Sequence, residues 1–161
     1  MSDAELARLR EVAIRLLARR EHSRRELAVK LRQRGGATEH IEGTLDALES
    51  ERLLSDRRFA EEFVRVRRER GQGPVRILAE LSERGVDQSL ARELLHAEPD
   101  HWLERARALR DRRFGGTLPA SRREWLRQAG FLSRQGYTSE QVHAVLGDEQ
   151  RGAGPPSGLS E

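Results

Sequence analysis

Cysteine is absent from the chain, which excludes disulfide staples, thiolate metal sites and cysteine nucleophiles together. Aromatic residues make up only 4%, too few for a β-sandwich, whose pleated faces want β-branched and aromatic side chains. No apolar run approaches the roughly 20 residues that a membrane span requires. The opening stretch MSDAELARLREV is polar, acidic at its start, and lacks the apolar core of a signal peptide. These absences lead to the expectation of a soluble, cytoplasmic protein with no membrane contact. Lysine is reduced to one residue, Lys30, so arginine carries nearly all the positive charge. A GC-rich genome would produce that bias through its codons. A polar partner surface would also use it, because guanidinium forks onto carboxylates and phosphates as ammonium cannot.

Charge is what the sequence has in quantity. Of 161 residues, 35% are charged and 36% apolar, enough for helical cores in one ordinary domain or a few very small ones. The net charge is +3 with a pI near 10.3, and it is unevenly spread. Residues 1–100 hold 20 basic and 20 acidic side chains, whereas residues 101–136 hold nine arginines against Glu104, Asp111 and Glu124.

Apolar residues recur at three- and four-residue steps along almost the whole chain, the helical period. Leu6, Leu9, Ala13, Leu16 and Leu17 form one stripe, Leu27 and Leu31 a second, Ile41, Leu45 and Leu48 a third. Ser23 with Glu26 has the spacing of a capping box, Gly35-Gly36 of a helix stop, and Thr38 of an N-cap. Gly73-Pro74 reads as another helix start, with proline at the first helical position. The unit then repeats. Leu31-Arg-Gln-Arg-Gly35, Leu81-Ser-Glu-Arg-Gly85 and Leu132-Ser-Arg-Gln-Gly136 align, and each glycine is followed by a further helix, with Ile41/Leu45, Leu90/Leu94 and Val142/Leu146 as its apolar pairs. The first helices align through Ala13/Leu16/Arg20, Ala60/Phe63/Arg67 and Ala106/Leu109/Arg113. The expected fold is all-α: three tandem three-helix modules with a repeat of about 50 residues, in an elongated, curved array of helices about 12–16 residues long. The expected boundaries are 1–53, 54–98 and 99–148, with the Gly/Pro/Ser-rich 149–161 as a disordered tail.

Catalytic chemistry is hard to assemble from these residues. The five histidines, at 22, 40, 96, 101 and 143, never take the i, i+4 spacing of two metal ligands on one helix face. Gly71-Gln-Gly73-Pro74 lacks the preceding strand and the lysine of a phosphate loop. Trp102 and Trp125 fit either base stacking or a helical core. No catalytic residue, metal or cofactor is expected. Arginine pairs remain, and SRRE occurs twice, at Ser23-Arg24-Arg25-Glu26 and Ser121-Arg122-Arg123-Glu124. Both fit capping boxes, with the paired arginines either solvating a helix face or meeting a partner. The second serine lies 15 residues before its marker glycine and the first 12, so the third module's middle helix should begin about one turn earlier.

The stretch Ala13–Leu27 with Lys30-Leu31 resembles the opening module of RecX regulatory proteins. Leu54-Ser-Asp-Arg-Arg-Phe-Ala60 with Phe63-Val64 and Arg67 resembles the second, extended by Gly73–Ile77, Glu80-Leu81 and Gly85-Val86. Phe131-Leu132 with Arg134, Gly136 and Tyr137 is similar to the closing stretch. Two residues depart from the pattern: Arg52 stands where the family often has glycine, and Ser55 where an acidic residue or asparagine is common. The resemblance implies a non-enzymatic, monomeric modulator that binds RecA–DNA filaments and limits ATP hydrolysis, strand exchange and the SOS response. The alternative from charge alone is a helical module contacting single- or double-stranded DNA directly through residues 101–136. Candidate contacts to RecA or DNA are Arg20, Arg24, Arg25, Arg67, Arg68, Arg105, Arg112, Arg113, Arg122 and Arg123.

Overall fold

The structure is a computed structural model and describes residues 3–148; the tail expected to be disordered, 149–161, lies outside the described residues. Nine helices and no strand occur among them: α1 (Asp3–Arg19), α2 (Arg24–Gln33), α3 (Thr38–Ser50), α4 (Asp56–Glu69), α5 (Pro74–Glu83), α6 (Gln88–His96), α7 (Pro99–Phe114), α8 (Arg122–Gln135) and α9 (Ser139–Leu146). The expected all-α fold is found. Helix length is less uniform than expected, from 17 residues in α1 to eight in α9. Gly35 and Gly85 close α2 and α5 after ten residues each, both at positive φ.

The chain divides into two compact units, Met1–Val66 with Ala79–Leu94, and Arg67–Leu78 with Leu95–Glu161. In the first unit α1, α2 and α3 pack on one another around Leu9, Ala13, Leu27, Leu31, Ile41, Leu45, Leu48 and Leu54. In the second, α7, α8 and α9 pack on one another. Trp102 and Trp125 are core residues there, not stacking platforms. Each indole N–H finds a carbonyl, Leu95 at 2.7 Å for Trp102 and Gly147 at 2.9 Å for Trp125, as a buried indole requires. The aligned alanines Ala13, Ala60 and Ala106 are all fully buried. In the second repeat the buried pair after the glycine is Ala91 and Leu95, whereas the expected Leu90 and Leu94 are only half-buried. The repeat is thereby more regular than the sequence suggested. Ile41, Ala91 and Val142 each lie six residues past a marker glycine.

The N-terminal ends of the middle helices carry the closest contacts. Ser23 forms the expected capping box, accepting from the Glu26 amide at 3.1 Å while the Ser23 amide donates to Glu26 at 3.3 Å. It is fully buried, and its hydroxyl also donates to the Arg84 carbonyl at 2.7 Å. Beside it, a Cβ on Gly85 would fall 2.7 Å from the Arg25 side chain. Gly73, also 12 residues before its marker glycine, replaces the side-chain bond with backbone. Its amide donates to Gln135 at 2.8 Å, the Val75 amide donates to Gly136 at 2.9 Å, and a Cβ on Gly73 would lie 2.4 Å from the Gly136 carbonyl carbon. Pro74 opens α5 as expected. Helix α8 begins one turn earlier, as expected, and spans 14 residues against ten for α2 and α5. Its capping box is only half made. Ser121 accepts from the Glu124 amide at 3.2 Å, but the Glu124 carboxylate turns to Gln128 and Arg127 instead.

Thr38 is not an N-cap. Ala37 takes the extended backbone of that position, φ −73° and ψ 142°, and caps without a side chain. The Gly36 amide is spent closing α2 on the Leu31 carbonyl, and α3 begins at Thr38, one residue earlier than a Thr38 cap would place it. Arg52 adopts φ +61° directly after the α3 C-cap, the left-handed position that favours glycine. Ser55 caps α4, accepting from the Arg58 amide at 3.2 Å. Both departures from the family pattern are thus absorbed locally. Arg52→Val should lose about 1–2 kcal/mol, because a β-branched residue is strained at positive φ. Arg52→Gly should stay within about 1 kcal/mol of the parent. Urea midpoints of the two variants check this.

Candidate functional site

In the first unit the SRRE residues are engaged internally. Arg24 has three carboxylates on its guanidinium, Glu42 at 2.7 Å, Asp46 at 2.8 Å and Glu49 at 3.1 Å. Burial opposes its charge, but hydrogen bonds to Glu42, Asp46 and Glu49 outweigh that, and its pKa is raised. Its backbone amide donates to Asp56 at 2.8 Å. Glu26 pairs with Arg20 at 3.2 Å and Arg84 at 3.4 Å. Arg25 lays its stem on Gly85 and keeps its residue exposed. A partner meeting this face would find Arg20 and Arg25 at the edge of a mixed-charge network, with Arg24 already ringed by acid.

The second unit presents a different surface. Arg67 is half-buried near the end of α4. Arg68 lies 5.8 Å from the Trp102 ring and 3.3 Å from Glu98. Arg105 is exposed on α7 near Tyr137, whose hydroxyl burial pushes up to about 12 against the opposing arginine charge. Arg112, Arg113, Arg122 and Arg123 are all exposed. Arg113 sits over two rings, Phe131 at 5.7 Å and Phe114 at 5.9 Å, and Arg127 lies 5.3 Å from Phe114. The two phenylalanines meet edge to face at 5.4 Å. Both are half-buried, with Leu118 and Leu126 exposed in the same unit.

Sequence reasoning missed this aromatic pair and Arg127, because Phe114 and Phe131 lie in different helices and nothing in spacing joins them. It also counted Arg110 in the basic surplus. Arg110 is buried, donating to the Val145 carbonyl at 3.2 Å and pairing with Asp111 at 2.7 Å. Its place in the stripe Trp102, Ala106, Arg110 was the signal. Among the described residues no group of three or more His, Asp or Glu is placed to hold a metal ion. No helix among the described residues is long and apolar enough to cross a membrane.

Three family models match in tandem: the first three-helix domain of RecX over residues 10–48, the second over 55–95 and the third over 100–146. The chain is 52% identical over 158 residues to regulatory protein RecX of Halorhodospira halophila, covering 94% of this chain and 98% of that protein. This chain belongs to the RecX family. RecX of Pseudomonas savastanoi pv. phaseolicola is 44% identical, with 86% of this chain and 89% of that protein covered. A crystal structure of RecX from Lactobacillus salivarius superposes with a TM-score of 0.79 at 20% identity, covering 89% of this chain and 96% of that one. The RecX domain matches fall on α1–α3, α4–α6 and α7–α9 in order, so the triple repeat read from the glycines is the RecX domain series.

Proposed function

We propose that this RecX-family chain regulates the RecA recombinase by binding RecA–DNA filaments, and that it restrains ATP hydrolysis, strand exchange and SOS induction without catalysing a reaction of its own. The observation that carries this is the complete, ordered series of three RecX domains. Several domains on one chain engage a repeating polymer at high effective concentration, so weak single contacts sum to firm binding. The ten arginine contacts remain proposals of different kinds. Arg112 and Arg123 are exposed guanidiniums on the second unit and suit direct contact. Arg24 acts through the network that holds its own face. Labelled protein should co-sediment with RecA assembled on single-stranded DNA, and Arg112→Glu with Arg123→Glu should weaken that binding while the fold persists. Equal binding by the charge-reversed protein would remove these arginines from the interface.

Direct nucleic-acid contact is favoured by one specific observation. Arg113 and Arg127 cover the edge-to-face pair Phe114 and Phe131, and ring faces beside cations suit unpaired bases. Affinity for naked single-stranded DNA should then fall with log salt at a slope of about 0.7 per phosphate contact. Reversing charge at Arg112, Arg113, Arg122 and Arg123 should reduce both affinity and slope. Unchanged binding by that variant would sink this reading.

A further inference from the structure

Two groups in the first unit belong to neither the helix caps nor the arginine faces: the chain's only lysine and a histidine that is 1% exposed. His22 precedes the N-cap of α2, and its Nδ1 lies 3.0 Å from the Arg20 carbonyl. A carbonyl can only accept, so Nδ1 carries the proton and Nε2 presents a lone pair. Nζ of Lys30 lies 3.0 Å from that Nε2. Arg20 and Arg84 beside it reach Glu26, whereas this amine reaches a base whose ring is fixed by a third group. That is the arrangement of an activated nucleophile. Burial lowers the Lys30 ammonium below the ordinary lysine range, Arg20 adds to the effect, and Glu26 opposes it. Burial also lowers His22, against the Arg20 carbonyl bond that raises it, which favours the neutral ring with its Nε2 lone pair toward Lys30.

Lys30 lines a cleft of about 270 Å³ between α2 and the end of α5, together with Arg25, Val29, Glu83 and Arg84. Arg84 is tied to Glu26 at 3.4 Å and stacks 4.7 Å from Phe63. Arg25 is exposed, and its guanidinium enters none of the ion pairs that hold Arg20, Arg24 and Arg84. The cleft is at the small end of ligand sites. It suits a compact anion with one acyl group better than a nucleotide-sized thioester, and Glu26 and Glu83 on its lining disfavour a polyphosphate chain.

We infer that Lys30 is a modification site, acylated by small acyl phosphates with His22 as general base and Arg25 as phosphate anchor. The Nζ lone pair attacks the acyl carbon, the carbon–oxygen bond to phosphorus breaks, and its electron pair leaves with inorganic phosphate. The extra Nζ proton passes to His22 Nε2 and from there to the departing phosphate, which leaves as hydrogen phosphate. The products are an amide on Lys30 and phosphate, with no oxidant or metal involved. The cleft then carries one positive charge less, next to the Ser23–Arg84 contact.

Incubating the intact protein with acetyl phosphate at neutral pH tests this, with occupancy read by peptide mass spectrometry. A single lysine makes the assignment unambiguous, and the α-amino group is an internal reference. Lys30 in the folded protein should react at least about tenfold faster than in the same chain unfolded in urea, the lower end of what a positioned base supplies being larger still. Arg25→Gln keeps the stem that rests on Gly85 and should slow the reaction several-fold. Inorganic phosphate should compete in the parent and not in Arg25→Gln. Both measurements leave the buried His22 intact. A Lys30 rate no greater in the folded than in the unfolded chain overturns the inference, and so does an Arg25→Gln protein with parental rate and phosphate competition.

Discussion

Gly136→Ala should cost about 2–5 kcal/mol of folding stability, more than the same change at the equivalent Gly35. Both glycines hold positive φ, +102° at Gly136 and +85° at Gly35, and alanine there is strained by about 1–2 kcal/mol. The difference lies in what surrounds them. An added Cβ at Gly35 meets nothing within 4 Å. At Gly136 it would lie 2.4 Å from the Arg76 Cβ, 2.9 Å from the Arg76 amide nitrogen and 3.1 Å from the Gly73 carbonyl oxygen. Relieving that overlap means moving backbone, which adds about 1–3 kcal/mol and threatens the bonds that Gly73 and Val75 make to Gln135 and Gly136. Denaturant midpoints for both alanine variants give the comparison. Equal losses would mean that the α5 terminus is not seated on the α8–α9 turn as described.

Ser23→Ala and Ser121→Ala should separate just as clearly, although both serines open the same four letters. Ser23 is fully buried. Its hydroxyl accepts from the Glu26 amide and donates to the Arg84 carbonyl at 2.7 Å. Alanine there loses a helix cap, about 1 kcal/mol, and strands a carbonyl in a buried site, about 1–3 kcal/mol more. Ser121 is exposed and makes the cap bond alone, so its loss should stay near about 1 kcal/mol. Thermal or urea unfolding reads both. A Ser121→Ala cost matching that of Ser23→Ala would contradict the assigned roles.

The repeat was legible because it is written in small residues at fixed places, buried alanines and turn glycines. Ala13, Ala60 and Ala106 recur where helices come close, and Gly35, Gly85 and Gly136 recur at left-handed turns. The register inside the second repeat was misread because Leu90 and Leu94 are larger than Ala91, and size drew attention from position. The arginine faces were only half legible. A sequence shows that Arg24 and Arg110 are basic, but not that carboxylates from α3 surround one and that the Val145 carbonyl receives the other. The Phe114–Phe131 pair and the His22–Lys30 contact are tertiary, joining residues that no helical period relates. SRRE, met as a repeated motif, is one local signal used twice. Its first copy is locked into packing, and its second opens a longer helix with both arginines exposed.

The central claim is regulation of RecA, and a titration of RecA ATP hydrolysis on single-stranded DNA tests it most directly. Increasing amounts of this chain should lower phosphate release progressively, reaching strong inhibition at or below one chain per RecA, with filaments still carrying the bound protein or shortened by it. Unchanged phosphate release and unchanged filament length, with a folded chain in stoichiometric excess, would contradict the account.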